Sequence, residues 1–302
     1  MVGRGVFDFL KRIVKDFSED ECSVRAAALA YYTVFALPPM LILLTMVVGA
    51  FWDPTEVQAS LETQFSSLIG PDAGQAIRDM LLHAKRPGAG SAVATLLGLG
   101  ALLFGSLGAF MQLQGALNRA WEVKPDPKQG GIRRFIAKRV LSAGMILAVA
   151  FLLTVSLAVS ALLSALGARM TFIPEPALHA IDVTLSFTVI TVLFAAIFRF
   201  LPDAEVAWGD VWLGALVTSI LFVVGKFVIG FYLGRSAPGD AYGAASALAI
   251  ILVWIYYGGM IVLFGAEFTQ AWAQGRGGGI RPEPGAIHVR EEKVTVERNP
   301  KT

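Results

Sequence analysis

Apolar residues run through this 302-residue chain in long blocks that carry no Asp, Glu, Lys or Arg. The blocks cover residues 26–52, 87–118, 140–168 and 241–266. Each exceeds the roughly 20 residues a helix needs to cross a ~30 Å hydrocarbon core. Two further blocks, 183–198 and 211–225, are shorter. They reach the needed length when the first extends past Asp182 and the second past Lys226. Six spans result, near 26–52, 91–117, 140–168, 176–198, 211–234 and 241–266. The alternative makes the two short blocks buried or re-entrant segments. Helices satisfy their own backbone polar groups in lipid, so the expected fold is all-α, a polytopic bundle of six transmembrane helices. The first block is too long for a signal-peptide core and lacks a small-residue cleavage site, so it is expected to be retained.

The segments between the blocks have their own periodicity. In "VFDFLKRIVKDF" (6–17), Val6, Phe9, Leu10, Ile13 and Phe17 recur at helical spacing, with Lys11, Arg12 and Lys15 elsewhere. Such a helix either lies in the cytoplasmic interface or packs on the base of the bundle. Loop 53–87 carries two helical patterns, Val57-Leu61-Phe65-Leu68 and Ile77-Met80-Leu81, separated by Gly70-Pro71. Two short helices capping the outer face are expected there. "GRGGGIRPEPG" (275–285) reads as part of a flexible extension. The organisation is therefore an interfacial helix in 1–25, a membrane domain in 26–273 and a flexible cytoplasmic tail in 274–302.

Composition supports the membrane reading. Hydrophobic residues make up 55% of the chain and charged residues 16%, against about 25% charged in soluble domains. The charge distribution sets orientation. Residues 1–25, 119–139, 199–210 and 267–302 carry 19 Lys and Arg, whereas loops 53–87, 169–182 and 235–240 carry five. The bias places both termini in the cytoplasm. The single cysteine, Cys22, excludes a disulfide within the chain and a cysteine-based zinc site, and no special role is expected of it.

Polar chemistry enters the apolar blocks at a few places. Lys226 shares a helix face with Gly230 and Gly234, a GxxxG pair suited to close helix approach. It lies about 12 Å, and Asp182 about 9 Å, from the outer end of its span. Ser186 stands one turn below Asp182. A Lys226–Asp182 pair is one reading. The other is a lysine whose long stem lifts its ammonium toward the outer headgroups. In "YYTVFALPPM" (31–40), Pro38 and Pro39 remove two N–H groups near the middle of the first span, beside Tyr31, Tyr32 and Thr33. That is either a broken helix of the kind that marks a transporter site or a packing kink. Small residues from Ala94 to Gly115 form a packing seam in the second span, with Gln112 as interhelical glue or part of a pathway. Arg25, Asn118, Arg119, Arg199, Asp210 and Glu267 gather at the cytoplasmic span ends. They serve there as anchors or as the gate of an inner opening.

No Walker motif, HExxH, GxSxG or dinucleotide fingerprint occurs. His83, His179 and His288 are too scattered to form one acid–base site. No enzyme activity, metal or cofactor is expected. The basic loop 119–139 suits anionic lipid headgroups, and nucleic acid is not expected as a partner.

Four segments carry a resemblance together: "AAALAYYTVFALPPMLILL" (26–44), "ALNRAWEVKP" (116–125), "RFLPDAEVAWGDVWLGALVTSILFVVGKFVIGFYLG" (199–234) and "YGAASALAIILVWIYYGGMIVLFGAEFTQAWA" (242–273). They resemble the YihY/BrkB family of bacterial inner-membrane proteins over roughly residues 5–273. The matching positions are Ala28, Tyr31, Tyr32, Pro38, Asn118, Arg119, Trp121, Pro202, Gly225, Lys226, Tyr242, Gly243, Gly265, Ala266 and Glu267. The resemblance implies a multi-pass protein of the inner membrane, from a virulence-associated family linked to serum resistance and to lipid or lipopolysaccharide export. The family's older label, ribonuclease BN, finds no catalytic constellation here. The leading expectation is a transporter-like protein that moves or hands on a lipid or other amphipathic envelope component. The second is a non-transporting scaffold for envelope biogenesis partners. A ribonuclease or other membrane enzyme has the least support. Substrate and oligomeric state are not legible.

Overall fold

In the computed structural model, residues 2–49, 53–69, 71–84, 108–128, 144, 175–236, 246–276 and 278–289 are described. The apolar blocks within them are helical. Helix α1 spans Val2–Glu19, α2 Cys22–Val48, α3 Pro54–Ile69 and α4 Pro71–Ala84. Helix α5 covers residues 108–120, α6 Glu175–Phe200, α7 Trp208–Ser236 and α8 Ser246–Gly275. Among the described residues three stretches are long and apolar enough to cross a membrane: Val183–Phe200, Trp208–Phe231 and Leu248–Gly275. The expected spans near 91–117 and 140–168 lie outside the described residues, apart from 108–117 and residue 144.

Helix α2 runs without interruption through Pro38 and Pro39, so the broken-helix alternative does not hold. A proline's fixed φ is itself helical, and the cost lies in the lost hydrogen bonds. Packing on both sides of the prolines keeps the chain in register. Leu37 and Leu41 are both buried, and α8 crosses the start of α2 at van der Waals contact. A Cβ on Gly259 would sit 3.3 Å from both Ala26 Cβ and Leu29 Cδ2.

The two helices expected in loop 53–87 are present as α3 and α4. Asp53 caps α3, accepting the Thr55 N–H at 2.7 Å. The hairpin packs its apolar faces inward. Ile77 and Leu81 close on Leu41, while Phe65 and Ala76 pack against Val34, Leu37 and Ile251.

The largest cluster of buried side chains lies at the other end of the bundle, and Trp121 is at its centre. Fully buried, Trp121 packs edge-on to Phe198 at 6.0 Å and donates its Nε1–H to the Ala266 carbonyl at 3.0 Å. One side chain thereby ties α5 to α6 and α8.

Residues 278–289 depart from the expected flexible extension. Strand β1 (Val123–Pro125) pairs antiparallel with β4 (Ala286–His288), and β2 (Ala204–Glu205) with β3 (Arg281–Pro282). Gly279, after α8, takes φ +60, a conformation that favours glycine. Ile280 is buried in the core, and both His288 ring nitrogens meet main-chain carbonyls, of Glu122 at 3.2 Å and Ile280 at 3.1 Å. Burial and pairing hold a segment whose composition alone favours disorder.

Helix α1 packs on the bundle by one face. Ile13 is fully buried, Phe9 packs edge-on to Phe268 at 5.5 Å, and Phe17 meets Phe264 at 6.1 Å. That face docks on α8. Phe7, Leu10 and Val14 remain exposed on the other side, beside Lys11 and Lys15.

Candidate functional site

Polar side chains concentrate where α1, α2, α5 and α8 meet. Two residues, Asp20 and Glu21, join α1 to α2, and Glu21 adopts φ 54. A non-glycine residue in this left-handed region costs about 1–2 kcal/mol. The turn directs Asp20 inward, where the Arg119 Nε meets its Oδ1 at 3.0 Å. Arg25 Nε–H donates to the Asp20 carbonyl at 3.0 Å.

Glu267 enters from α8 and is 1% exposed. Cys22, also buried, directs its S–H toward Glu267 Oε1 at 3.4 Å, so this residue has a contact the sequence reading did not expect. Burial pushes the Cys22 thiol up, and the neighbouring Glu267 carboxyl adds to it, so the sulfur stays protonated and donates. Burial likewise raises Asp20 from its ordinary carboxylate range, against the opposing pull of the Arg119 guanidinium.

A second polar knot centres on Asn118, the residue before Arg119 in α5. Asn118 Nδ2–H donates to Asp203 Oδ2 at 2.7 Å, and the Asp203 N–H donates back to Asn118 Oδ1 at 2.8 Å. Gln114 adds a longer contact to the same Oδ2 at 3.3 Å. Asp203 belongs to the bend between α6 and α7, so this knot fastens that bend to α5.

The residues expected as one cytoplasmic cluster are thus distributed. Arg25, Arg119 and Glu267 surround Asp20, and Asn118 binds Asp203. Arg199 instead donates to the Val206 carbonyl at 2.5 Å and lies over the Trp208 ring at 5.4 Å. Asp210 faces Arg276 at 3.8 Å. Asp20, Cys22 and Asp203 were missed by sequence reasoning. Asp20 and Cys22 sit in a polar stretch that reads as solvated, and Asp203 in a short loop. The Pro202-Asp203 pair after a long apolar run was the one available signal for a built turn.

The family model described as Virulence factor BrkB matches residues 13–287. The chain belongs to the BrkB family. The match reaches past β3 into β4, beyond the region in which the sequence resemblance was read. A UPF0761 membrane protein of Methylibium petroleiphilum is 30% identical over 86% of this chain and 61% of its own length. One from Stenotrophomonas maltophilia is 32% identical over 85% of this chain and 59% of its own. One from Alcanivorax borkumensis is 28% identical over 87% and 60%. The chain therefore spans about three fifths of the length of the curated relatives it matches. No solved structure matches.

The residues of this BrkB-family protein expected within the apolar spans form a less closed arrangement. Tyr31, Tyr32 and Phe35 make an exposed aromatic edge on α2, with ring centroids 5.7 and 4.9 Å from Tyr31. Thr33, Pro38, Gln112 and Ser186 are half-buried. The side chains of Pro39 and Asp182 lie outside the described residues, so the Lys226–Asp182 pair does too. Lys226 is half-buried between exposed Val224 and exposed Phe227 and Val228.

Gly230 is exposed, with no described atom close to where its Cβ would be. The surroundings of Gly234 lie outside the described residues; among those described, close helix contact occurs at Gly225, where a Cβ would meet the Tyr257 ring and lie 3.0 Å from Ile261 Cδ1. Closer contacts lie at Gly214 and Gly265, where a Cβ would meet Thr269 and Thr218 respectively. The signal for these was present as a repeated GxxxT, "GALVT" (214–218) and "GAEFT" (265–269).

Proposed function

We propose that this BrkB-family membrane protein is a six-span protein of the bacterial inner membrane with both termini in the cytoplasm. In this reading it moves or hands on a lipid or other amphipathic envelope component and performs no covalent chemistry. The observation that carries the reading is Lys226, an ammonium half-buried on an apolar helix, with Phe227, Val228 and Phe231 exposed around it. A cation bordered by open apolar side chains matches a molecule with an anionic head and hydrocarbon tails. Asp182 is the proposed partner of Lys226 when the site is empty, and the phenols of Tyr31 and Tyr32 offer further hydrogen bonds to a headgroup.

Reconstitution into liposomes tests this. Fluorescent anionic phospholipid in the inner leaflet is expected to reach the outer leaflet faster than in protein-free vesicles. Lys226→Met is expected to slow it several-fold. Movement no faster than in empty vesicles, for anionic and zwitterionic lipids alike, overturns the reading. One observation favours the scaffold alternative: α3 and α4 form a platform packed on α2 and α8, with Arg78 and Glu62 paired across it at 3.7 Å. That alternative predicts loss of function on altering 53–87 and none on neutralising Lys226.

A further inference from the structure

Among the described residues, Glu267 is a carboxyl group with few donors. Its Oε1 receives the Cys22 thiol, a weak donor. Its Oε2 is buried and receives no hydrogen bond from an N–H or O–H donor among the described residues. The group facing it is another carboxyl: Asp20 and Glu267 stand within hydrogen-bonding reach of each other. Two carboxylates in such contact repel, whereas a carboxylic acid and a carboxylate make a short, strong hydrogen bond. The Arg119 guanidinium is on Asp20, at 3.0 Å, which makes Asp20 the anion and Glu267 the acid.

The neighbouring carboxylates among the described residues act in the same sense. Asp16 approaches from α1, itself paired to Arg12 at 3.5 Å, and Glu122 approaches from the end of α5. Arg25 of α2 faces the Cys22 side. Among the described residues, four carboxyl groups, Asp16, Asp20, Glu122 and Glu267, thus gather with three guanidiniums, Arg12, Arg25 and Arg119. One bound proton reduces the local excess of negative charge.

We propose that Asp20 and Glu267 form a proton-binding site that latches the α1–α2 elbow to α8, and that loss of the shared proton releases the elbow. Asp20 is itself one of the two elbow residues, so repulsion between the carboxylates acts directly on the joint. The left-handed Glu21 next to it already carries strain that release relieves. The latch stands whether or not the protein moves lipid.

The sign of the pH dependence follows from proton counting. In the unfolded chain both carboxyls are ionised at neutral pH, whereas the folded pair holds one proton. The folded state therefore binds more protons, and stability falls as pH rises until the pair loses its proton. The chain's sole cysteine reports the opening, because Cys22 is fully buried under the latch.

The full chain in nanodiscs is labelled with maleimide from about pH 6 to about pH 9, each rate divided by that of a free thiol at the same pH. The normalised rate of the wild type is expected to climb about tenfold, equivalent to roughly 1.4 kcal/mol of opening free energy. In Glu267→Gln, whose amide replaces the acid as donor to Asp20, the profile is expected to be flat and low. Infrared spectra at neutral pH are expected to show a carboxylic-acid carbonyl band that Glu267→Gln removes. Asp20→Asn, which ends the repulsion from the other side, is expected to flatten the labelling profile as well. Parallel labelling profiles in wild type and Glu267→Gln, or an acid band that survives the substitution, overturn the proposal.

Discussion

Replacing Asp203 by alanine is expected to lower the stability of the folded bundle by on the order of 3 kcal/mol. Asp203 is 2% exposed and lies in the bend between α6 and α7. Its carboxylate accepts from Asn118 at 2.7 Å and Gln114 at 3.3 Å, and its carbonyl accepts the Glu283 N–H at 3.0 Å. One residue thus joins α5, the α6–α7 bend and the C-terminal strands. Alanine keeps the main-chain bonds but leaves the buried Asn118 amide without its acceptor. A buried donor stripped of its partner bears its full desolvation cost, which exceeds the net value of the bond that was lost. Asp203→Asn keeps an acceptor oxygen for Asn118 and loses the charge, so it falls between alanine and wild type. Glu205→Ala, two residues on and exposed, is the control and is expected to change nothing. Thermal unfolding of the purified protein in detergent measures all three. An Asp203→Ala midpoint equal to that of the control ends this account of the knot.

The second large effect is expected between α7 and α8. Gly265→Ala is expected to destabilise by about 1–3 kcal/mol, the usual cost of overpacking. The added methyl would meet the Thr218 hydroxyl and stand 3.0 Å from Thr218 Cβ. Thr218 cannot simply rotate away. Its Oγ1–H donates to the Gly214 carbonyl at 2.7 Å, and the residue is fully buried. The contact is reciprocal, since Thr269 donates to the Gly265 carbonyl at 2.7 Å and its side chain covers Gly214. Two GxxxT segments therefore interlock, each threonine filling the space left by the other helix's glycine. Removing the obstacle should restore the fit: Gly265→Ala with Thr218→Ala is expected to recover most of the lost stability. Gly265→Ala with Thr269→Ala is not, because Thr269 faces Gly214. Equal rescue by both alanines would show that the helices separate generally and do not collide at this point. The cycle isolates the pair because the two threonines differ in which glycine they touch.

Long helices, and the two-helix form of loop 53–87, were legible because both depend on local properties. A charge-free block has one low-cost backbone state in lipid, and apolar side chains at 57, 61 and 65 share a face whatever packs against it. Local reading failed where two distant segments complete each other. "GRGGGIRPEPG" has the composition of a free tail, yet 281–288 pair with 123–125 and 204–205. Its order comes from partners about 80 to 160 residues away, which no window over the tail can contain. The glycines that meet between α7 and α8 were not read from the pattern for a related reason. Gly230 and Gly234 meet the GxxxG pattern as well as any pair, but only the crossing of α7 with α8 decides which small residues are in contact.

The polar residues divide in the same way. The sequence by itself determined that charge is scarce in the spans and abundant at one set of their ends, because transfer of an ionised group into hydrocarbon is costly anywhere along the chain. It placed Arg119 and Glu267 at that end and Lys226 within an apolar helix. It also placed the chain among the BrkB proteins through residues that recur at fixed spacing. The tertiary structure alone decided the partners. It turned Asp20 inward at a left-handed elbow, set Cys22 on Glu267, drew Asn118 to Asp203 and left Arg199 on a main-chain carbonyl. The physical reason is the range of the forces involved. Hydrophobic transfer free energy is carried by each residue separately and survives in the one-dimensional pattern. A hydrogen bond or a shared proton requires two groups within about 3 Å, and that distance exists only once α1, α2, α5 and α8 have packed.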